Sequence, residues 1–161
     1  ASAVTALHRI AKSADRGVAR QEARLGAALA SLVGKVVALV EEVGAEVEAK
    51  EVTKTLWALA KIGFLNGPAM DVLAEQVVHK AAELDGHGLS NVVWGFATMR
   101  CWNGRLLASV AAEAARQLTD FEPQGLANIA WGLAKLSAQD PALMALISEE
   151  VSRRAGEFTP Q

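Results

Sequence analysis

The sequence predicts an all-α fold, a right-handed α-solenoid in which pairs of antiparallel helices follow one another along the chain. The first observation is a repeat, because Trp57, Trp94 and Trp131 recur every 37 residues. The second is the composition: 52% of the residues are hydrophobic and only 5% are aromatic, which suits helices packed through small side chains. The third is that each repeat contains two helical hydrophobic patterns with a turn signal between them. Tandem units of about 37–38 residues with two helices each are typical of solenoids.

The repeat divides the chain into units. Full copies are predicted at 47–83, 84–120 and 121–157, and a degenerate copy with an elongated second helix at 1–46. The start of a further copy is predicted at 158–161, because "FTPQ" at Phe158 restates "FEPQ" at Phe121. Since solenoid units bury their apolar faces against neighbouring units, we expect these residues to be a segment of a longer array.

The last full copy shows how each unit is built. Hydrophobic residues at helical spacing predict a first helix, helix A, from about Gln124 to Leu136. Asp140 before Pro141 is the pattern of an N-cap followed by a first-turn proline, so a second helix, helix B, is expected from Pro141 to about Ala155. Its polar residues are expected to point outward: Glu149, Glu150, Arg153 and Arg154.

The earlier copies follow the same plan. Asn66 and Asn103 occupy the position of Asp140 and are also good capping residues. Further upstream, "LHRIAK" at Leu7 matches "LWALAK", with His8 in the tryptophan position. The residues added between these copies fall in or beside a long helix B, about 20–43. We interpret His8 as a degenerate repeat residue rather than a metal ligand or catalytic group.

Charge and motifs exclude several classes of function. With 16 Lys+Arg against 18 Asp+Glu, the chain is not basic overall, so any nucleic-acid binding requires a local patch. Phosphate loops, metalloprotease motifs and nucleophile elbows are lacking, so we expect no enzyme activity, no cofactor, no metal site and no small-molecule substrate. Cys101 is interpreted as a packed small hydrophobe, and His79 as part of a solvated salt-bridge ladder. Lys35 interrupts the most apolar window, so no membrane insertion is expected.

Polar residues that are four, three and four apart share one face of each helix A. The predicted contact residues on this face are Lys50, Lys54 and Lys61, then His87, Asn91 and Thr98, then Gln124, Asn128 and Lys135. Two interpretations stay open for Asn91 and Asn128, namely direct ligand contact and hydrogen bonds that brace neighbouring repeats. A small residue at Gly132 permits close approach of a neighbouring helix or a flat base. Because the main glutamates fall in helix B, we expect one cationic surface along helix A.

The tryptophans divide into two kinds. Trp57, Trp94 and Trp131 are expected to pack between helix A and helix B, each with its indole N–H on a carbonyl. Trp102 is out of register, in the loop "RCWNGR" between helices. We expect it to be partly exposed and, with Arg100, to contact RNA or a protein partner.

The stretch "FEPQGLANIAWGLAKLS", with its echo "FTPQ", resembles the octotricopeptide repeat, a family related to the repeats of FAST-kinase-like and RAP-domain proteins. The resemblance covers nearly the whole chain and is strongest at 121–136. It departs from the family pattern at "DGHGLSNVVW", which lacks the Pro-Gln pair. It implies an α-solenoid and an organellar RNA-binding protein of the mitochondrion or chloroplast.

Two functions therefore follow from the resemblance and the repeat. The first is an RNA-binding helical-repeat module of an organellar RNA-processing, translation or ribosome-associated factor, with single-stranded or ribosomal RNA as partner. The alternative is a non-catalytic protein–protein scaffold subunit in a large organellar assembly. The lysine stripe favours RNA, whereas the low net charge favours the scaffold. A continuous positive potential on helix A would support RNA, and a mixed face would support protein.

Overall fold

The computed structural model describes residues 3–13, 23–43, 47–138 and 140–158, and within these ranges it is helical with no strand. The all-α solenoid that the repeat predicts is confirmed. The helices are α1 (Ala3–Ser13), α2 (Ala23–Val43), α3 (Ala49–Ile62), α4 (Gly67–Lys80), α5 (Gly86–Thr98), α6 (Gly104–Arg116), α7 (Pro123–Lys135) and α8 (Pro141–Arg153). Single 3₁₀ turns follow α4, α6 and α8 at Ala81–Glu83, Leu118–Asp120 and Ala155–Glu157.

The helices form two rows. Helices α1, α3, α5 and α7 are the helix A row and pack side by side in that order, while α2, α4, α6 and α8 are the helix B row behind it. Each later pair lies inside one predicted repeat, although the division of the chain into repeats itself stays a prediction. The expected helix A at 124–136 forms one residue earlier, and the expected helix B ends at Arg153, where a 3₁₀ turn replaces its last residues. Within the described ranges, no helix is long and apolar enough to cross a membrane.

The turn that starts each helix B is encoded by a capping side chain. Asn66 accepts a hydrogen bond from the Ala69 amide at 3.0 Å, and Asn103 does the same for Leu106 at 3.0 Å. The Asp140 carboxylate accepts from the Leu143 amide at 2.9 Å. All three predicted caps are confirmed. Each satisfies a backbone donor that the first turn of a helix leaves without a partner.

Each helix A from α3 onward ends in the same left-handed turn. At the equivalent repeat position, one or two residues after the helix, φ is 68° at Gly63, 55° at Arg100 and 53° at Ser137. The next amide then reaches back to a carbonyl five residues earlier, as from Cys101 to Phe96 at 2.9 Å, which is a Schellman motif. Of the three full copies, only the one at 47–83 has glycine there, the residue that adopts this conformation without strain.

Close packing within the helix A row depends on small residues. A Cβ built on Gly132 would overlap the Val93 side chain and lie 3.2 Å from the Val93 carbonyl oxygen. One pair earlier, a Cβ on Gly95 would lie 3.0 Å from Leu56 Cγ. Each helix A therefore inserts a branched side chain over the small residue of the next. Gly132 therefore allows close approach of a neighbouring helix, and it is buried rather than exposed to a ligand.

In each of the last two units, a hydrogen bond joins a residue near the end of the unit to the first residue of the unit. The Gln117 side chain donates to the Leu84 carbonyl at 2.9 Å, and Arg154 donates to the Phe121 carbonyl at 2.7 Å. Glu150 is only 7% exposed, so the prediction that it points outward is wrong. Hydrogen bonds from Arg153 and Arg154 hold its pKa below the usual value, with the Arg153 bond the larger cause. This carboxylate fixes the arginine that closes its own unit.

Candidate nucleic-acid interface

The solvent-facing positions of the helix A row form one continuous surface, which we call the helix A face. Because the helices lie side by side, residues at equivalent repeat positions form rows that run across them. None of these residues is buried. The helix A face consists of Lys50, Lys54, Trp57 and Lys61 on α3, of His87, Asn91, Trp94 and Thr98 on α5, and of Gln124, Asn128, Trp131 and Lys135 on α7.

An aromatic row crosses the middle of this face. Trp131 is 43% exposed, and Trp57 and Trp94 are half-buried. His8 continues the row on α1, with its ring centroid 5.2 Å from that of Trp57. The expectation that these tryptophans pack between helix A and helix B is wrong for Trp131. Gly132 occupies the position against α5, and a residue one step earlier in a helix is turned by roughly 100°, toward solvent.

A groove of 580 Å³ lies at the end of the face where α3 and α5 begin. Four predicted residues line it together, namely Lys50, Lys54, His87 and Asn91. The other eight lining residues were not among the predicted contact residues, and they include His8, Lys12, Thr53 and Trp57. The one signal that identifies His8 is its alignment with the tryptophans. In the structure its Nδ1 atom is buried and has no hydrogen-bond partner.

The groove is mixed in charge. Lys50 pairs with Glu48 at 3.1 Å, and Lys54 pairs with Glu51 at 2.7 Å. Glu83 and Asp85 also line the groove. The expectation of one cationic surface along helix A, with the main glutamates in helix B, is therefore wrong here. Acidic residues are favourable at the N-terminus of a helix, and Glu48 and Glu51 occupy that end of α3.

The amide side chains of the face are bonded along their own helices. Asn91 Nδ2 lies 2.9 Å from His87 Nε2, and Gln124 Nε2 donates to Asn128 Oδ1 at 3.1 Å. Neither bond bridges two repeats, so these asparagine contacts do not act as the predicted braces. Both pairs lie at the surface, where their hydrogen bonds can be exchanged for bonds to a ligand.

A second basic and aromatic area lies at the opposite end of the face. Arg100, Trp102 and Lys135 line a depression of 350 Å³ together with Leu136. The Lys135 ammonium lies 4.9 Å from the centre of the Trp131 ring, within the range of a cation–π contact. Trp102 is 68% exposed, which confirms the exposure predicted for it. Lys61 and Thr98 are exposed at this end of the face, but they line neither the groove nor the depression.

The thiol beside Trp102 is a packing group. Cys101 is half-buried and contacts the hydrophobic core. Burial, with a smaller contribution from Asp71, raises the pKa of its thiol, which disfavours the reactive thiolate. Within the described ranges, no group of three or more His, Cys, Asp and Glu side chains is placed to hold a metal ion. The groups that the helix A face presents to a ligand are therefore aromatic rings, amide side chains and cations.

The comparison with protein families gives one finding. A family model described as RNA-editing substrate-binding complex 6 protein matches residues 12–156. This range includes every residue of the helix A face and of the second basic area. No curated protein matches the chain.

Proposed function

The chain belongs to the RNA-editing substrate-binding complex 6 protein family, and we propose that its helix A face binds single-stranded RNA within such a complex. The aromatic row carries this proposal. Aromatic side chains recognise unpaired bases by stacking, and each stacked base contributes about 1–3 kcal/mol. Trp57, Trp94 and Trp131 present partly exposed rings on adjacent helices, at intervals of about 8–10 Å set by helix packing.

The rows beside the rings supply the other two contacts that RNA recognition requires. His87, Asn91, Gln124 and Asn128 carry groups able to bond to the exposed edges of unpaired bases. Lys50 and Lys54 are paired with carboxylates, but exposed ion pairs are worth only about 0–1 kcal/mol each. An RNA phosphate can therefore displace Glu48 or Glu51.

The assignments of role and organelle are also part of the proposal. We propose a non-catalytic, cofactor-free role that holds the RNA substrate, and we assign no editing chemistry to this chain. Of the two predicted organelles, the mitochondrion is favoured because RNA-editing complexes of this kind act there, and the chloroplast has no support. Membership of the octotricopeptide repeat family stays a prediction, since the matching family model is a different one.

Fluorescence anisotropy with a labelled, unstructured oligouridine tests the proposal. Trp131→Leu removes a ring that is exposed enough for the fold to survive, so affinity should fall roughly 5- to 100-fold, the loss of one stacked base. The matched control is Leu146→Ala on α8, a residue exposed to a similar degree at 41%, and it should leave affinity unchanged. Failure of the wild-type chain to bind the RNA, or equal binding by Trp131→Leu, would reject the proposal.

A protein scaffold is the second candidate, and two observations favour it. The groove carries mixed charge rather than a continuous positive potential. In addition, Met144 and Leu146 are exposed apolar residues on α8, on the helix B row and away from the rings. Crosslinking within the intact complex separates the two functions, because a scaffold would give protein crosslinks on α8 and on the groove, and no RNA crosslink on the helix A face.

A further inference from the structure

We propose that Arg100, Trp102 and Lys135, which we call the Trp102 cluster, form a second RNA contact that stacks one unpaired base and binds its phosphate. This inference rests on the proposed function and extends it to the end of the helix A face opposite the groove, where Lys135 meets two residues outside the face. Trp102 lies in the turn between α5 and α6, outside the repeat positions of the other tryptophans. A ligand that binds both areas would pass over the C-terminal ends of the A helices.

Within the described ranges, neither cation of this cluster forms an ion pair. The 350 Å³ depression that it lines has no carboxylate among its lining residues. Among the ion pairs of the described residues, none includes Arg100 or Lys135. Two cations that lack carboxylate partners beside an exposed indole match the needs of a nucleotide, whose phosphate is an anion and whose base has a flat face.

The Trp102 ring is held in place although it is exposed. A Cβ built on Gly104 would lie 2.8 Å from Trp102 Cη2, so the glycine lets the ring lie directly over the start of α6. The ring also borders a second hollow of 290 Å³, which is lined by apolar residues such as Leu107 and Leu133 and also by Ser137 and Asp140. Because the ring lies against Gly104, it loses less side-chain entropy when a base stacks on it than a ring without such a contact would.

The backbone around the cluster is strained. Arg100 has φ 55° where the preceding copy has Gly63, and a non-glycine residue in this region costs of order 1–3 kcal/mol. Such residues concentrate at functional sites. The left-handed turn places Arg100 in the depression beside Trp102, and glycine at this position would remove the cation.

The cluster lies one helix length from the groove. Between His87, in the groove, and Thr98, at the other end of α5, the helix rises about 16 Å. That span is roughly five stacked nucleotides at 3.4 Å each. An RNA of about three nucleotides is therefore too short to occupy both areas, whereas an RNA of about fifteen nucleotides can occupy both. Loss of the cluster should weaken binding of the longer RNA more than binding of a three-nucleotide RNA.

The test compares Trp102→Leu with a control from the preceding repeat. Leu65 occupies the position equivalent to Trp102 and is 60% exposed, so Leu65→Ala removes an exposed apolar side chain of the same turn. With a labelled 15-nucleotide oligouridine, Trp102→Leu should lower affinity about tenfold, within the range for one stacked base. Trp102→Phe should restore most of the loss, and Leu65→Ala should have no effect. Circular dichroism verifies that each variant is folded.

The outcomes separate this inference from the proposed function. If wild type fails to bind RNA, the proposed function and this inference fall together. If Trp131→Leu weakens binding but Trp102→Leu does not, only the Trp102 cluster is rejected. If Trp102→Leu leaves RNA affinity unchanged and removes a protein crosslink from the intact complex, the cluster is a protein contact and the inference is wrong.

Discussion

The two ends of the helix A face carry similar cations in opposite electrostatic settings. In the groove, Lys50 and Lys54 are each paired with a glutamate of the same chain segment. At the Trp102 cluster, Arg100 and Lys135 form no ion pair with a carboxylate of the described residues, and Lys135 lies over the Trp131 ring. A count of lysines along helix A treats these ends as equal, but their attraction for phosphate differs.

The difference shows how this chain, with a formal charge of −2, can bind an anion. A cation that must leave a carboxylate contributes only the difference between two pairings, whereas an uncompensated cation contributes its whole interaction with the phosphate. We therefore expect salt-dependent affinity to come mainly from the Trp102 cluster, and stacking to come from the aromatic row.

The largest expected effect comes from a substitution that moves α7, which carries Lys135, away from α5. Gly132→Val places a branched side chain against Val93 and its carbonyl, so α7 must move away from α5. Overpacking of this kind costs about 1–3 kcal/mol or more, and it displaces Lys135 while leaving the groove on α3 and α5 in place. Urea denaturation followed by circular dichroism measures the loss.

A matched glycine supplies the control for that variant. A Cβ on Gly34, in α2, meets no atom within 4 Å, so Gly34→Ala should be neutral or stabilise by about 0.5–1 kcal/mol. Equal stability of Gly132→Val and wild type would show that the small residue does not set the helix spacing.

The second-largest effect is expected from neutralising the two cations of the Trp102 cluster. Arg100→Gln with Lys135→Gln should lower RNA affinity about tenfold at low salt. It should also reduce the slope of log affinity against log salt by about 1.4, the value for two phosphate contacts on a single strand. Lys35→Gln, an exposed lysine on α2, is the control and should change neither quantity. An unchanged slope in the double variant would mean that these cations do not contact phosphate.

Removing the two carboxylates that pair with the groove lysines should make the groove more similar to the other end of the face. Glu48→Gln with Glu51→Gln frees Lys50 and Lys54, so affinity should rise a few-fold and the salt slope should steepen by up to about 1.4. Glu149→Gln, which removes an exposed carboxylate on α8, should have no comparable effect. A fall in affinity would contradict the view that these glutamates compete with the RNA.

The smallest effect concerns the strained turns. Arg100→Gly and Ser137→Gly each place glycine at a positive φ, and each should stabilise the chain by up to about 1 kcal/mol. Only Arg100→Gly should also weaken RNA binding, because only it removes a cation from the Trp102 cluster. Thermal melts and anisotropy measured on the same samples compare the two. Equal affinity of the two variants would argue against a role for the Arg100 side chain.

The periodicity of the sequence predicted the fold class and the caps because both depend on local patterns. Asn66, Asn103 and Asp140 act through bonds three residues away, which one sequence contains in full. The side of the helix occupied by Trp131 was not predictable in this way. It depends on Gly132 fitting against Val93 of the preceding unit, and an alignment of repeats gives equivalent positions but not their contacts.

The charge of the face was missed for a related reason. Glu48 and Glu51 lie within a few residues of the lysines, but only side-chain geometry shows that they pair with them. Lys135 comes from a different repeat than Arg100 and Trp102, although all three line one depression. Their proximity therefore also depends on how the repeats stack, which the local sequence pattern does not contain. The choice of the predicted contact residues as RNA ligands stays a prediction.

Photo-crosslinking of the intact chain to 4-thiouridine-labelled single-stranded RNA, with the crosslinked peptides identified by mass spectrometry, tests the central claim most directly. We expect crosslinks on the peptides that contain Trp57, Trp94 and Trp131, and none on the exposed residues of α4, α6 and α8. Crosslinks confined to the helix B row, or the absence of any crosslink under conditions where the RNA is bound, would contradict the assignment of the helix A face as the RNA-binding surface.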